Sequence, residues 1–327
     1  MQPITLSNMY QARKRIQPYV METPLINSDS LSMSYNASVY LKLENLQETG
    51  SFKMRGAANK ILALSKEKRE RGVTTFSTGN HGLAVAYLTA KLGMRAIICI
   101  SNHVPSVKVN KLTSLGAEII KVGDNQDDAE RYAYELAEKE GLTVIPPFDD
   151  IDVITGQGTI GIELIEQFSE MDMAIIPVSG GGLFSGISFA LKKYNPKVKL
   201  IGVSMEKSPV MYESIRVKNP VVLQEEDTLA DSLLGGIGLN NYYTFRMVQE
   251  YIDDFILVSE EEIARGMMYM LHHHQFAVEG AAATTVAAIL SGKVDVAGKN
   301  VVSVISGKNV DTSVVLNVGA KYLATTK

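Results

Sequence analysis

Met173-Ala174-Ile175-Ile176-Pro177-Val178 runs directly into Ser179-Gly180-Gly181-Gly182-Leu183, and a helical pattern over 184–194 follows at once. A short apolar run of this kind reads as a strand covered on both faces. Consecutive glycines let the backbone bend tightly and approach a ligand closely. A helix that starts there presents unpaired N–H groups and the positive end of its dipole. Together these parts make an anion cradle, most naturally for phosphate. The plainer alternative is a flexible strand-to-helix turn that holds nothing. No Walker lysine follows the glycines, which speaks against a P-loop.

The same alternation extends outward along the chain. Strand-like runs fall at 39–44, 73–77, 95–101, 118–122, 173–178, 199–205, 255–259 and 301–305. Helical patterns fall between them at 82–92, 126–138, 159–168, 184–194, 260–274 and 280–290. This order predicts an α/β architecture with largely parallel sheets. Pro146-Pro147 is the strongest punctuation in the middle of the chain, and Arg71-Gly72 marks an earlier break. Residues 72–146 are therefore expected to form a small α/β domain inserted in a larger one, built from 1–71 and 147–327.

Composition narrows the function classes. The 327 residues suggest about two domains, enough chain to bury a large core without staples. A net charge of -4 argues against a nucleic-acid binder that works through charge. No stretch approaches the roughly 18 apolar residues of a membrane span. The start, Met1 to Arg15, shows no apolar core of a signal peptide. A single cysteine, Cys99, excludes an internal disulfide framework and a cysteine-rich zinc site. These features point to the cytoplasm.

Other segments carry weaker signals. Gly156-Gln157-Gly158-Thr159-Ile160-Gly161 fits the dinucleotide fingerprint, but the residues before it read as loop rather than strand. A tight helix entry is the expected role. Ser51-Phe52-Lys53 by itself is compatible with a surface lysine at a helix start. In Ser77-Thr78-Gly79-Asn80-His81, Thr78 or Asn80 is the expected N-cap, and such a turn also offers hydroxyls, an amide and free N–H groups to a carboxylate. His272-His273-His274 looks like a metal cluster, yet neighbouring helix residues point apart, so a solvated face is expected. Cys99 sits in an apolar run and reads as an inert core residue. Ser306, after the run 301–305, is placed where α/β ligand sites form.

In this order, several segments carry a resemblance. They are Thr23-Pro24-Leu25, Leu41-Lys42-Leu43-Glu44-Asn45-Leu46-Gln47, Thr49-Gly50-Ser51-Phe52-Lys53-Met54-Arg55-Gly56-Ala57, 77–82, 156–161, 179–183, Thr228-Leu229-Ala230-Asp231 and 306–311. The chain resembles the fold-type II pyridoxal-phosphate (PLP) enzymes, specifically the serine/threonine dehydratase and serine racemase family, over nearly its whole length. The resemblance implies a tryptophan synthase beta-like fold: two open twisted parallel-sheet domains with the cofactor in the cleft between them, in a homodimer. It implies that Lys53 carries PLP covalently and that Phe52 packs on its ring. Asn80 would bond the ring hydroxyl, and Ser306 the ring nitrogen. Gly180, Gly181 and Gly182, flanked by Ser179 and Leu183, would cradle the phosphate. Ser77, Thr78, Gly79 and His81 would receive the substrate carboxylate, and Glu279 falls where relatives keep a carboxylate near the site.

The activity so implied is β-elimination of water from a hydroxy amino acid such as threonine or serine, giving a 2-oxo acid and ammonia. A neutral Ser306 opposite the ring nitrogen favours elimination over long-lived carbanion chemistry. Three departures matter. Thr78 stands where racemases have a serine base, so efficient racemisation is not expected. Around the end of the run 199–205 the chain shows Ser204, then Glu206, with no close second acid before Glu213, so the divalent-cation site of many relatives is expected to be absent or altered. Asp231-Ser232 replaces an Asp-Gly pair. The chain also ends soon after its last site segment, so a regulatory amino-acid-binding domain is not expected. Residues 77–82 and 228–238 are similar to dehydratases of hydroxyectoine utilisation, which would make the substrate a hydroxyectoine-derived amino acid. A racemase and a non-catalytic sensor on the same scaffold are the further alternatives.

Overall fold

The computed structural model describes residues 4–104 and 106–325. Among the described residues ten strands form two open sheets. They are β1 (Leu25–Asn27), β2 (Ser38–Leu43), β3 (Val73–Thr75), β4 (Ala96–Ile100), β5 (Glu118–Lys121), β6 (Thr143–Val144), β7 (Met173–Pro177), β8 (Lys199–Met205), β9 (Asp254–Val258) and β10 (Asn300–Ile305). The larger sheet has the order β1-β2-β10-β7-β8-β9, the smaller β5-β4-β3-β6. Every pairing is parallel except β1 with β2. The expected α/β class with largely parallel sheets is what the chain forms. β1 and β6 went unread because three and two residues are too few to show a period.

The apolar runs divide between two faces, as alternation along a strand requires. Met173 and Ile175 of β7 join one core with Leu41, Val203 and Val301. Ala174 and Ile176 point the other way, to Phe184, Ile187, Leu200 and Val302. In β4, Ile97 and Cys99 face one side of the smaller sheet, Ile98 and Ile100 the other. Burial pushes the Cys99 thiol pKa up, consistent with a core residue. Among the described residues no helix is long and apolar enough to cross a membrane.

The decoy glycines correct one expectation. Gly156, Gly158 and Gly161 do not form a helix entry; they lie inside the helix Ile151–Gln167, which Asp150 caps by accepting from the N–H groups of Asp152 and Val153. Their task is close packing. A Cβ on Gly156 would sit 2.6 Å from the Arg55 carbonyl, and one on Gly161 2.6 Å from the Ala190 Cβ. The helix therefore crosses the helices Lys53–Ala63 and Gly182–Tyr194 nearly backbone to backbone. His272 and His273 are exposed at the end of the helix Glu260–His274, and His274 Nε2 lies 3.0 Å from Ser28 Oγ.

Candidate active site

The C-terminal ends of β3, β7 and β10 open into one cleft, the usual place for a ligand in parallel α/β sheets. It has a volume of about 330 Å³. The glycine bend follows β7. Gly181 has φ +84°, and a Cβ on Gly180 would lie 2.3 Å from Phe148 Cδ1. Among the described residues no side chain caps the helix that begins at Gly182, so its first N–H groups are free for an anion.

Lys53 opens the helix Lys53–Ala63, with Phe52 at the N-cap. The Phe52 N–H donates to the Ser306 carbonyl at 3.0 Å, which ties the lysine to the end of β10. Lys53 Nζ donates to the Pro147 carbonyl at 2.7 Å. Burial lowers the amine pKa to about 8, with Glu279 acting in the opposite direction. The Pro146-Pro147 punctuation thus has a second task, because it brings a carbonyl to the lysine.

Two residues on, Arg55 anchors this helix from beneath. Its guanidinium donates to Glu44 Oε1 and Oε2 at 2.8 Å each, and to Glu163 at 2.5 and 2.8 Å. Lys42 Nζ completes the group, donating to Glu163 at 2.6 Å and to the Thr23 carbonyl at 2.7 Å. All four charged side chains are buried. Two cations and two anions compensate each other, the condition under which buried charge is tolerable. Burial works to raise the Glu44 carboxyl pKa, but Arg55 outweighs it and holds the group below its ordinary value. Lys42, Glu44 and Arg55 lie in the segments that carry the resemblance but Glu163 does not, and no local pattern pairs them, because Glu163 is more than a hundred positions from Arg55 and Lys42.

The turn after β3 carries the remaining residues. The helix Asn80–Leu92 is capped by the backbone of Gly79, not by a Thr78 or Asn80 side chain. Asn80 is instead the first helical residue, and its carboxamide turns to Glu279. A Cβ on Gly82 would lie 1.8 Å from the Ser77 carbonyl, so this helix starts hard against the turn. His81 is buried with Nε2 2.8 Å from the Ile145 carbonyl. Donation there makes Nε2 the protonated nitrogen of a neutral ring, and burial holds the pKa down to about 3. The ring therefore offers no cationic donor to a carboxylate.

The cleft gathers Phe52, Lys53, Ser77, Thr78, Gly79, Asn80, His81, Ser179, Gly180, Gly181, Gly182, Leu183 and Ser306. Glu279 lines it too, at the N-cap of the helix Gly280–Leu290. Lys108, Gln126, Glu225, Asp231 and Ser232 add to its mouth. No short motif signals Lys108, Gln126 and Glu225, which come from unrelated segments, whereas Asp231 and Ser232 belong to the segment 228–238. These residues suit PLP: the glycine bend has no room for side chains, an uncapped helix start faces it, and a lysine of lowered pKa lines the same cleft. Among the described residues no group of three or more His, Cys, Asp or Glu gathers as a metal site. Glu206 lies 3.3 Å from the Lys293 ammonium, which also bonds Glu262 at 2.7 Å.

Comparison with known proteins agrees with this geometry. A family model described as pyridoxal-phosphate dependent enzyme matches residues 16–307. A putative threonine dehydratase of Sinorhizobium fredii is 46% identical over 308 residues, covering 94% of this chain and 93% of the relative. An L-threonine ammonia-lyase of Thermotoga maritima is 42% identical, over 95% of this chain and 77% of the relative. Among solved structures, the serine racemase of Dictyostelium discoideum superposes with a TM-score of 0.86 at 36% identity, over 94% of this chain and 99% of that one. Maize serine racemase gives a TM-score of 0.90 at 31% identity, over 99% of both chains.

Proposed function

The chain belongs to the pyridoxal-phosphate dependent enzymes, and on that premise we propose that it removes water from a β-hydroxy amino acid, threonine or serine, releasing a 2-oxo acid and ammonia. One observation carries the reading: Lys53 and the bend Ser179-Gly180-Gly181-Gly182 line the same cleft. Lys53 would hold the cofactor through its amine, the bend its phosphate, Asn80 its ring oxygen, Ser306 its ring nitrogen and Phe52 its ring face. PLP, when bound, supplies the electron sink that acidifies the substrate Cα–H.

The protein's own groups do the rest. A lysine pKa near 8 leaves part of the Lys53 population unprotonated at neutral pH, ready to accept the Cα proton as general base. Ser77, Thr78 and Gly79, with the N–H groups at the start of the helix Asn80–Leu92, are placed to hold the α-carboxylate. His81 contributes packing and main-chain N–H, since its ring is neutral and tied to Ile145. The β-hydroxyl takes up a proton and leaves as water, and the enamine that remains is converted by water to oxo acid and ammonia once released.

The larger unit of 1–71 and 147–327 around an inserted 72–146 belongs to the same proposal, supported by β3 to β6 pairing only with one another. So do a homodimer, which sedimentation would check, and a cytoplasmic location. A bulkier, hydroxyectoine-derived β-hydroxy amino acid is the second reading. It rests on the resemblance of 77–82 and 228–238, and Ser232, Gly235 and Gly236 of the second segment line the cleft. The test is a panel of serine, threonine, threo-3-hydroxyaspartate and ring-opened hydroxyectoine derivatives, scored for ammonia and keto-acid release. Turnover of threonine or serine supports the first reading. No ammonia from any of them, with PLP supplied, rejects both.

A further inference from the structure

Glu279 is nearly fully buried and stands at the N-cap of the helix Gly280–Leu290, yet its side chain makes no capping bond. It turns instead to Asn80, whose Nδ2 donates to Oε1 at 2.9 Å and Oε2 at 3.0 Å. The main-chain N–H of Asn309 donates to the same carboxylate at 3.1 Å. Asn309 also reaches back with its side chain. Its Nδ2 donates to Asn80 Oδ1 at 2.6 Å and to the Thr49 carbonyl at 2.8 Å. Gly307 makes room for the carboxylate, since a Cβ there would lie 2.6 Å from Glu279 Oε1.

These contacts use up the Asn80 carboxamide unevenly. Its oxygen is occupied by Asn309. Its nitrogen has two protons, and one suffices for the two close carboxylate oxygens. The other is left for the cleft, where Ser232 Oγ is 3.5 Å away, too far for a good bond. A flipped amide would set its oxygen against the carboxylate and its nitrogen against the Asn309 donor, so the orientation is enforced from both ends.

We propose that Glu279 and Asn309 are positioning residues that lock Asn80 as a hydrogen-bond donor toward the cofactor ring oxygen, holding that oxygen as an anion. The inference rests on the reading that the cleft binds PLP. The charged groups that face Glu279 are Lys53 and Asp231. Neither contacts Asn80 in a way that would replace the lock.

The test uses holoprotein and follows the pH dependence of the visible absorbance of bound cofactor. Glu279→Gln leaves one acceptor oxygen for the donors of Asn80, Asn309 and Ser232, so the hold on Asn80 is weakened. The lock then predicts a rise in the absorbance midpoint of about one pH unit, a tenfold change in the protonation equilibrium. The double variant E279Q/N80A is expected to move no further than Asn80→Ala alone. If Glu279 acted only through its charge, removing it would lower the midpoint. A lowered midpoint, an unchanged one, or additive shifts in the double variant overturns the proposal. Should E279Q fail to fold, Asn309→Ala is read the same way, because it frees the Asn80 oxygen. The unsubstituted protein separates the two failures: no visible band after PLP is supplied refutes the cofactor reading itself, whereas a band present there with an unshifted E279Q refutes the lock alone.

Discussion

Replacing Arg55 by Met removes a side chain that joins three segments beneath the active lysine. The guanidinium is about 1% exposed and bonds Glu44 and Glu163, which are equally buried. In the native protein Arg55 and Lys42 balance the two carboxylates. Without Arg55, Lys42 alone faces both, and its close contact is to Glu163 at 2.6 Å. Glu44 is then a buried carboxylate whose remaining close partners are Thr23 and Gln47. Breaking a buried pair in this way costs about 3–5 kcal/mol, against a typical total of about 5–15 kcal/mol. Urea unfolding followed by circular dichroism at pH 7.5 measures the loss directly. Arg55→Lys is expected to recover only part, because an ammonium cannot make the two forked contacts.

The acid limb supplies a second reading of the same experiment. Arg55 holds the Glu44 pKa below its ordinary 4.5. A carboxylate with a depressed folded pKa contributes stability above its unfolded pKa and loses it as pH falls through the folded one. Without Arg55 burial acts on Glu44 with less to oppose it, so this acid loss should shrink and the gap between R55M and the native protein should narrow as pH falls through that range. A destabilisation of R55M below about 1 kcal/mol, within the range of an exposed ion pair, would refute the argument that this network holds the lysine-bearing helix.

Lys53→Ala should abolish ammonia release; substantial retained activity rejects the assignment. Burial lowers the Lys53 pKa from 10.5 to about 8, so the unfolded chain holds more protons between those values and the apoprotein should gain stability as pH climbs through that window. Lys53→Met should lack this rise, and equal slopes for both proteins in urea titrations would contradict it. Gly82→Ala forces a Cβ to within 1.8 Å of the Ser77 carbonyl. It should raise KM and lower stability by about 2 kcal/mol or more, and unchanged kinetics would show that the turn tolerates the shift. Chelator treatment should leave turnover intact, because the Lys293 ammonium lies between Glu206 and Glu262; loss of most activity on metal depletion, restored by a divalent cation, would show otherwise.

The glycines show where local sequence was enough and where it was not. Gly180, Gly181 and Gly182 were legible as a ligand bend because the apolar strand before them and the helix after them are contiguous in the chain. Gly156, Gly158 and Gly161 fit a ligand-binding fingerprint too, yet they serve helix crossing. Their partners, Arg55, Gly56, Gly186 and Ala190, come from elsewhere in the chain, and no local pattern names them. His81 makes the same point within the site itself. Its place in the turn is local, but its tautomer is set by the distant carbonyl of Ile145 and its neutrality by burial.

Sequence alone determined the α/β class, the glycine bend, the lysine-bearing segment and the family resemblance, because each depends on periodicity or on residues adjacent in the chain. Tertiary structure alone decided the charge balance of Lys42, Glu44, Arg55 and Glu163, and the Glu279–Asn80–Asn309 contact. The reason is physical: the direction of a buried polar side chain follows from whichever partners satisfy it, and those partners arrive from segments that only folding brings together.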